Sequence, residues 1–128
     1  MPKCVLVIDD DVLNRELAKR TLQSNGYEVI TAQDGLEGLE AIKKKPDLIL
    51  LDVQMPRLDG YGFIRQKFSH PDPALSKIPV IVLSALGKTE PLFKRYGVKA
   101  YLVKPMNTQE LLEKIQTLTA PPASPPVA

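Results

Sequence analysis

One cysteine, one histidine and no tryptophan occur in 128 residues. A lone Cys4 forms no intrachain disulfide, which fits a reducing compartment, and at the head of an apolar run it reads as a small buried hydrophobe. His70 lies in the loop Ser69-His70-Pro71-Asp72-Pro73 with no second ligand at metal spacing, which argues for a surface residue and against zinc. The formal net charge is only +2, too small to argue for nucleic acid or an anionic membrane as partner. The one dense basic run, Lys43-Lys44-Lys45, falls at the end of a predicted helix, where cations suit the helix dipole. No apolar run approaches the ~20 residues needed to span a bilayer. Met1-Pro2-Lys3 leads straight into an apolar strand and then three acids, which is no signal-peptide pattern. The expected location is cytoplasmic, and no internal repeat is visible.

The composition that remains is that of a soluble domain, with 44% hydrophobic and 25% charged residues, long enough for one full core. Short apolar runs alternate with amphipathic stretches. Predicted strands are Cys4–Ile8, Glu28–Ala32, Leu48–Leu51, Val80–Ser84 and Ala100–Val103. The runs at Val5, Leu48 and Val80 are continuously apolar, as in strands covered on both faces. Predicted helices cover about 12–25, 34–44, 60–68, 90–96 and 108–118. Leu13, Leu17, Ala18 and Leu22 recur near helical spacing, as do Leu36, Leu39, Ala41 and Ile42. Asp11 suits the N-cap of the first helix and Gly26 a left-handed stop. Asn107 with Glu110 resembles a capping box for the last. Pro91, inside Leu86–Gly97, limits the fourth predicted helix to two turns or fewer. The alternation predicts an α/β fold, a parallel sheet with right-handed crossovers. The final nine residues, 120–128, hold four prolines and read as a tail or the start of a polyproline linker.

In such open sheets the site lies at the carboxyl ends of the strands. Four predicted strands end in chemistry there. Val5–Ile8 runs into Asp9-Asp10-Asp11, Leu48–Leu51 into Asp52, Val80–Leu83 into Ser84, and Tyr101–Val103 into Lys104-Pro105. Crowded carboxylates repel unless a cation or protons intervene. Magnesium accepts a few carboxylates and keeps several waters. Asp10 and Asp52 are candidate direct ligands, Asp9 a ligand through water, and the Gln54 carbonyl a further oxygen. A carboxylate is also a nucleophile toward phosphorus. Magnesium, the Lys104 ammonium and the Ser84 hydroxyl would then stabilise the three equatorial oxygens. Each residue alone has an ordinary reading: helix-capping acids, a turn former, a strand-end hydroxyl, a solvated lysine. Their coincidence at four strand ends carries the argument.

These motifs together resemble the receiver domain of two-component response regulators, over residues 3–118. The resemblance rests on Asp9-Asp10 after the first strand, Asp52 ending the third, and Met55-Pro56-x-x-Asp59-Gly60 after it. Ser84-Ala85 and Tyr101-x-x-Lys104-Pro105 complete it. It implies a flavodoxin-like, doubly wound sheet of order 2-1-3-4-5 with five helices. It implies that Asp52 accepts a phosphoryl group from a histidine kinase or phosphotransfer protein. Asp9, Asp10, Asp52 and the Gln54 carbonyl would hold Mg2+, and Lys104 would contact the phosphoryl group. Ser84 and Tyr101 would switch the face formed by the fourth predicted helix, fifth strand and last helix for an output partner. Apolar Leu86, two past Ser84, implies a long-lived phosphoryl group. Gly97-Val98-Lys99-Ala100 lacks the acids frequent in DNA-binding members, so no direct nucleic-acid role is expected. A dehalogenase-type phosphatase would need a second aspartate where Gln54 stands, so no conventional enzyme is expected. The alternative is a receiver-like interaction module that takes no phosphate.

Overall fold

The computed structural model describes residues 3–52, 59–84, 98, 100–103 and 107–119. Within them a five-stranded parallel sheet has the order β2-β1-β3-β4-β5, from β1 (Cys4–Ile8), β2 (Glu28–Ala32), β3 (Leu48–Asp52), β4 (Val80–Ser84) and β5 (Ala100–Val103). This is the expected doubly wound, flavodoxin-like sheet. The helices are α1 (Val12–Ser24), α2 (Gly35–Ala41) running into a 3-10 turn (Ile42–Lys44), α3 (Asp59–Phe68), α4 (Pro73–Ser76) and α5 (Thr108–Thr119). The stretch expected to be helical at 90–96, and the proline-rich end at 120–128, lie outside the described residues.

The continuous apolar runs are explained by two cores. Alternate strand residues face opposite sides of a sheet. Leu6, Ile8, Ile49, Leu51, Val80 and Val82 join Phe63, Ile64 and Ile42 in one core. Val5, Val7, Leu48, Leu50, Ile81 and Leu83 join Ala18, Leu22, Leu111 and Ile115 in the other. The central strands β3 and β4 are buried at every position. The edge strand β2 is exposed at Glu28 and only half-buried from Val29 to Thr31.

Local chemistry ends the helices where the sequence implies. Asp11 Oδ1 accepts the amides of Leu13 and Asn14 at 2.9 and 3.2 Å. Gly26, at φ 88°, lets its own amide reach the Gln23 carbonyl and that of Tyr27 the Leu22 carbonyl. That pair of bonds is a Schellman stop, and it needs the left-handed residue. Asn107 Oδ1 accepts the Glu110 amide at 3.0 Å, the forward half of the expected capping box. Lys43 and Lys44 fall in the last turn of the 3-10 segment.

Several expectations change. Of the apolar positions on α1, Ala18 and Leu22 are buried, but Leu13 and Leu17 are 64% and 54% exposed, with Val12 at 63%. Leu36 of α2 is likewise outside. Helical spacing identifies a stripe, and the sheet covers only part of it. Cys4 is half-buried rather than buried. Burial, then the nearby Asp47 and Glu28 carboxylates, push its thiol pKa up. The two residues also exchange bonds, since Cys4 N–H donates to Asp47 Oδ2 and Asp47 N–H to the Cys4 carbonyl, both at 2.8 Å. The short helix α4 lies outside the predicted helices, although Asp72 caps it and Pro73 fills its first position, both helix-starting signals.

A Cβ at Gly38 of α2 would lie 2.6 Å from Ile8 Cδ1 and 3.0 Å from the Phe63 ring. Both neighbours are wholly interior, so neither has room to move. Gly38→Ala gains about 1 kcal/mol of helix propensity against about 1–3 kcal/mol of overpacking. The expected result is a net loss of about 1 kcal/mol, read as a lower urea midpoint. A midpoint at or above wild type would show that α2 is not seated as tightly as this contact requires.

Lys67 of α3 is completely buried, in phase with Phe63 and Ile64. Desolvation pushes its pKa down to about 8. The unfolded chain keeps that proton to about 10.5, so above pH 8 the unfolded state binds more protons and folding stability rises. At ~1.4 kcal/mol per pKa unit the gain is on the order of 3 kcal/mol by pH 10.5. Urea midpoints of wild type minus Lys67→Met, at pH 7.5 and 10, should differ in wild type's favour at the higher pH. A flat difference would mean the ammonium is not desolvated.

Candidate functional site

Parallel pairing in register brings the strand ends together. Ile8 pairs with Leu51, so Asp9 and Asp52 follow side by side, on backbones about 4.8 Å apart. Asp52 pairs with Leu83 and Ser84 with Val103. Asp9, Asp52 and Ser84 therefore stand at the carboxyl ends of three adjacent strands, and they are only 6, 4 and 2% exposed. Asp10 is exposed beside them and Asp11 is spent on the helix cap. Tyr101, paired with Val82, is half-buried against the core beneath α2 and α3. Gln54 and Lys104 lie outside the described residues.

Asp9 is held from two sides. Its Oδ1 accepts the Asp11 amide at 2.9 Å, and its backbone carbonyl accepts Arg15 Nη1 at 2.7 Å. Arg15 was not singled out from the sequence. Its place one turn after Asp11, on the helix that starts at this edge, was the available signal. Its guanidinium ties the first turn of α1 to the backbone at the end of β1.

Among the described residues no group of three or more His, Cys, Asp or Glu side chains is arranged to hold a metal ion. The donor set still fits magnesium, which takes hard oxygen ligands, commonly one or two carboxylates with water and phosphate oxygens. Buried Asp9 and Asp52 supply hard carboxylate oxygens of that kind at adjacent strand ends. No helix among the described residues is long and apolar enough to cross a membrane.

Comparison with known proteins places this geometry. The family model for the response regulator receiver domain matches residues 5–116. The response regulator MprA of Mycobacterium sp. (strain KMS) is 41% identical over 121 residues, covering 92% of this chain and 51% of MprA. The chain thus spans about half the length of that relative. The polar-differentiation response regulator DivK of Brucella anthropi is 34% identical over 120 residues, covering 91% of this chain and 96% of DivK. Among solved structures, the response regulator TrrA from Thermotoga maritima, in complex with Mg2+ and BeF, superposes with a TM-score of 0.80 at 32% identity, covering 91% of this chain and 98% of TrrA. Receiver domains are signalling modules, and response regulators work with histidine kinases and output partners. With the sheet order, the buried acids at its edge and these matches in agreement, the chain belongs to the response regulator receiver domain family of two-component systems.

Proposed function

We propose that this receiver is activated by phosphorylation of Asp52. The observation that carries the reading is the burial of Asp9 and Asp52 side by side at the carboxyl ends of adjacent strands. An Asp52 oxygen attacks phosphorus of a phosphohistidine on a kinase or phosphotransfer protein. The P–N bond breaks, and the leaving imidazole keeps the electron pair and takes a proton. Asp10, Asp52 and the Gln54 carbonyl would hold Mg2+, with Asp9 acting through water. When bound, the ion neutralises charge on the transferred phosphoryl oxygens. Lys104 and the Ser84 hydroxyl contact the other oxygens.

Ser84 and Tyr101 then bias two packings of the face made by residues 90–96, β5 and α5, where an output partner docks. The domain is assigned to residues 3–118, and the proline-rich composition of 119–128 reads as a tail or linker. It catalyses only its own phosphorylation and slow hydrolysis, in the cytoplasm, and touches neither nucleic acid nor membrane directly. Exposed Val12, Leu13 and Leu17, on the helix that starts at the acidic edge, supply apolar surface for the donor protein.

The test is intact mass after incubation with a small phosphodonor, with and without Mg2+. A single phosphoryl adduct that requires Mg2+ and maps to Asp52 is expected. A folded wild-type chain that binds Mg2+ yet takes no adduct would replace this reading with the interaction module that needs no phosphate.

A further inference from the structure

Lys67 is a buried ammonium far in sequence from every residue of the acidic edge. Its Nζ donates to the Ser76 carbonyl at 2.6 Å and to the Ile78 carbonyl. The same nitrogen lies 3.9 Å from the centre of the Phe68 ring. Nothing in phosphoryl transfer uses it. Burying an ammonium without a carboxylate is costly, and an apolar residue would fill this core position without that cost. What the lysine makes there is two hydrogen bonds to the backbone of a different segment.

That segment needs them. α4 has only four residues, far below the length at which a helix sustains itself in water. Its start is secured by the Asp72 cap, whose Oδ1 accepts the Ala74 amide at 2.9 Å, and by Pro73. The carbonyls at the other end of a helix have no partner within it. Ser76 is the last residue of α4, and Ile78 lies two further on, just before β4. Cations suit this end of a helix. The aliphatic stem of Lys67 stays in the core while its head reaches the backbone.

We infer that Lys67 is the C-terminal cap of α4, supplied in trans by α3, and that this clamp fixes where β4 begins. The neutral amine would still offer two N–H donors to the two carbonyls, so the clamp holds in either protonation state. The strand it anchors, β4, ends in Ser84. The inference does not depend on whether Asp52 takes phosphate.

Hydrogen exchange on Lys67→Met tests it, since methionine keeps the buried stem and deletes the donors. The amides of Leu75, Ser76, Lys77 and Ile78, all bonded within the turn, should lose at least about tenfold in protection. Those of Val7 and Leu50 in the sheet should change far less. Equal loss throughout, or none in 75–78, would reduce Lys67 to a core filler and overturn the assignment. Should the variant fail to fold, the wild-type Lys67 ammonium decides by nitrogen NMR. A slowly exchanging signal coupled to the Ser76 and Ile78 carbonyl carbons supports the clamp. An ammonium exchanging as fast as surface lysines refutes it.

Discussion

Asp52→Asn will gain no phosphoryl mass under conditions in which the wild-type chain gains one. The carboxylate oxygen is the nucleophile in the proposed reaction, and an amide oxygen in the same place is too weak to attack phosphorus at a useful rate. The substitution is nearly isosteric, so the 4% exposed site keeps its packing. The variant should therefore stay folded while losing all labelling. Intact mass and a urea titration on the same samples separate the two effects. An adduct of undiminished yield on Asp52→Asn would move the acceptor to another residue, with Asp10, the exposed acid beside it, the first to examine.

Phe63→Ala will cost about 3–5 kcal/mol of folding stability, the range for emptying a buried aromatic site. Phe63 is 1% exposed in the core that also holds Ile8, Leu51 and Val82. Its ring lies where a Gly38 side chain would sit, so it props α2 as well as α3. With a urea slope of about 1–3 kcal/mol/M for a small domain, the midpoint should fall by about 1–5 M. A loss below about 1 kcal/mol would mean that α2 and α3 collapse readily into the space, contrary to the close fit around Gly38.

Much of this was legible because local and global signals agree. The strands were readable because burial on both faces leaves β3 and β4 wholly apolar up to Asp52 and Ser84. The caps at Asp11 and Asn107 were readable because a side-chain oxygen at a helix start has a specific task. Leu13 and Leu17 misled because spacing places residues on a face without saying whether anything covers it. The turn α4 was missed because four residues carry no periodicity. Lys67 was missed because lysine on an amphipathic helix normally reads as solvated. Its position four after Phe63 and three after Ile64, in phase with the core, was the clue. Within the site, Asp9, Asp52 and Ser84 stood out as polar groups ending apolar runs, whereas Arg15 acts through a backbone carbonyl, and only its place one turn after Asp11 pointed to it.

The Cys4–Asp47 exchange of hydrogen bonds has a consequence for the reading frame of the sheet. A strand with one wet face resists slipping because a one-residue shift turns its apolar side outward. The central pair β1 and β3 has no such safeguard, since both of its faces are apolar. Acids stand at both ends instead: Asp47 where β3 begins, Asp9 and Asp52 where the two strands finish. A slip in either direction would pull a carboxylate among leucines and valines, at a cost of several kcal/mol. The acids at the chemical edge thus also act as stops, locking the alignment that brings them together.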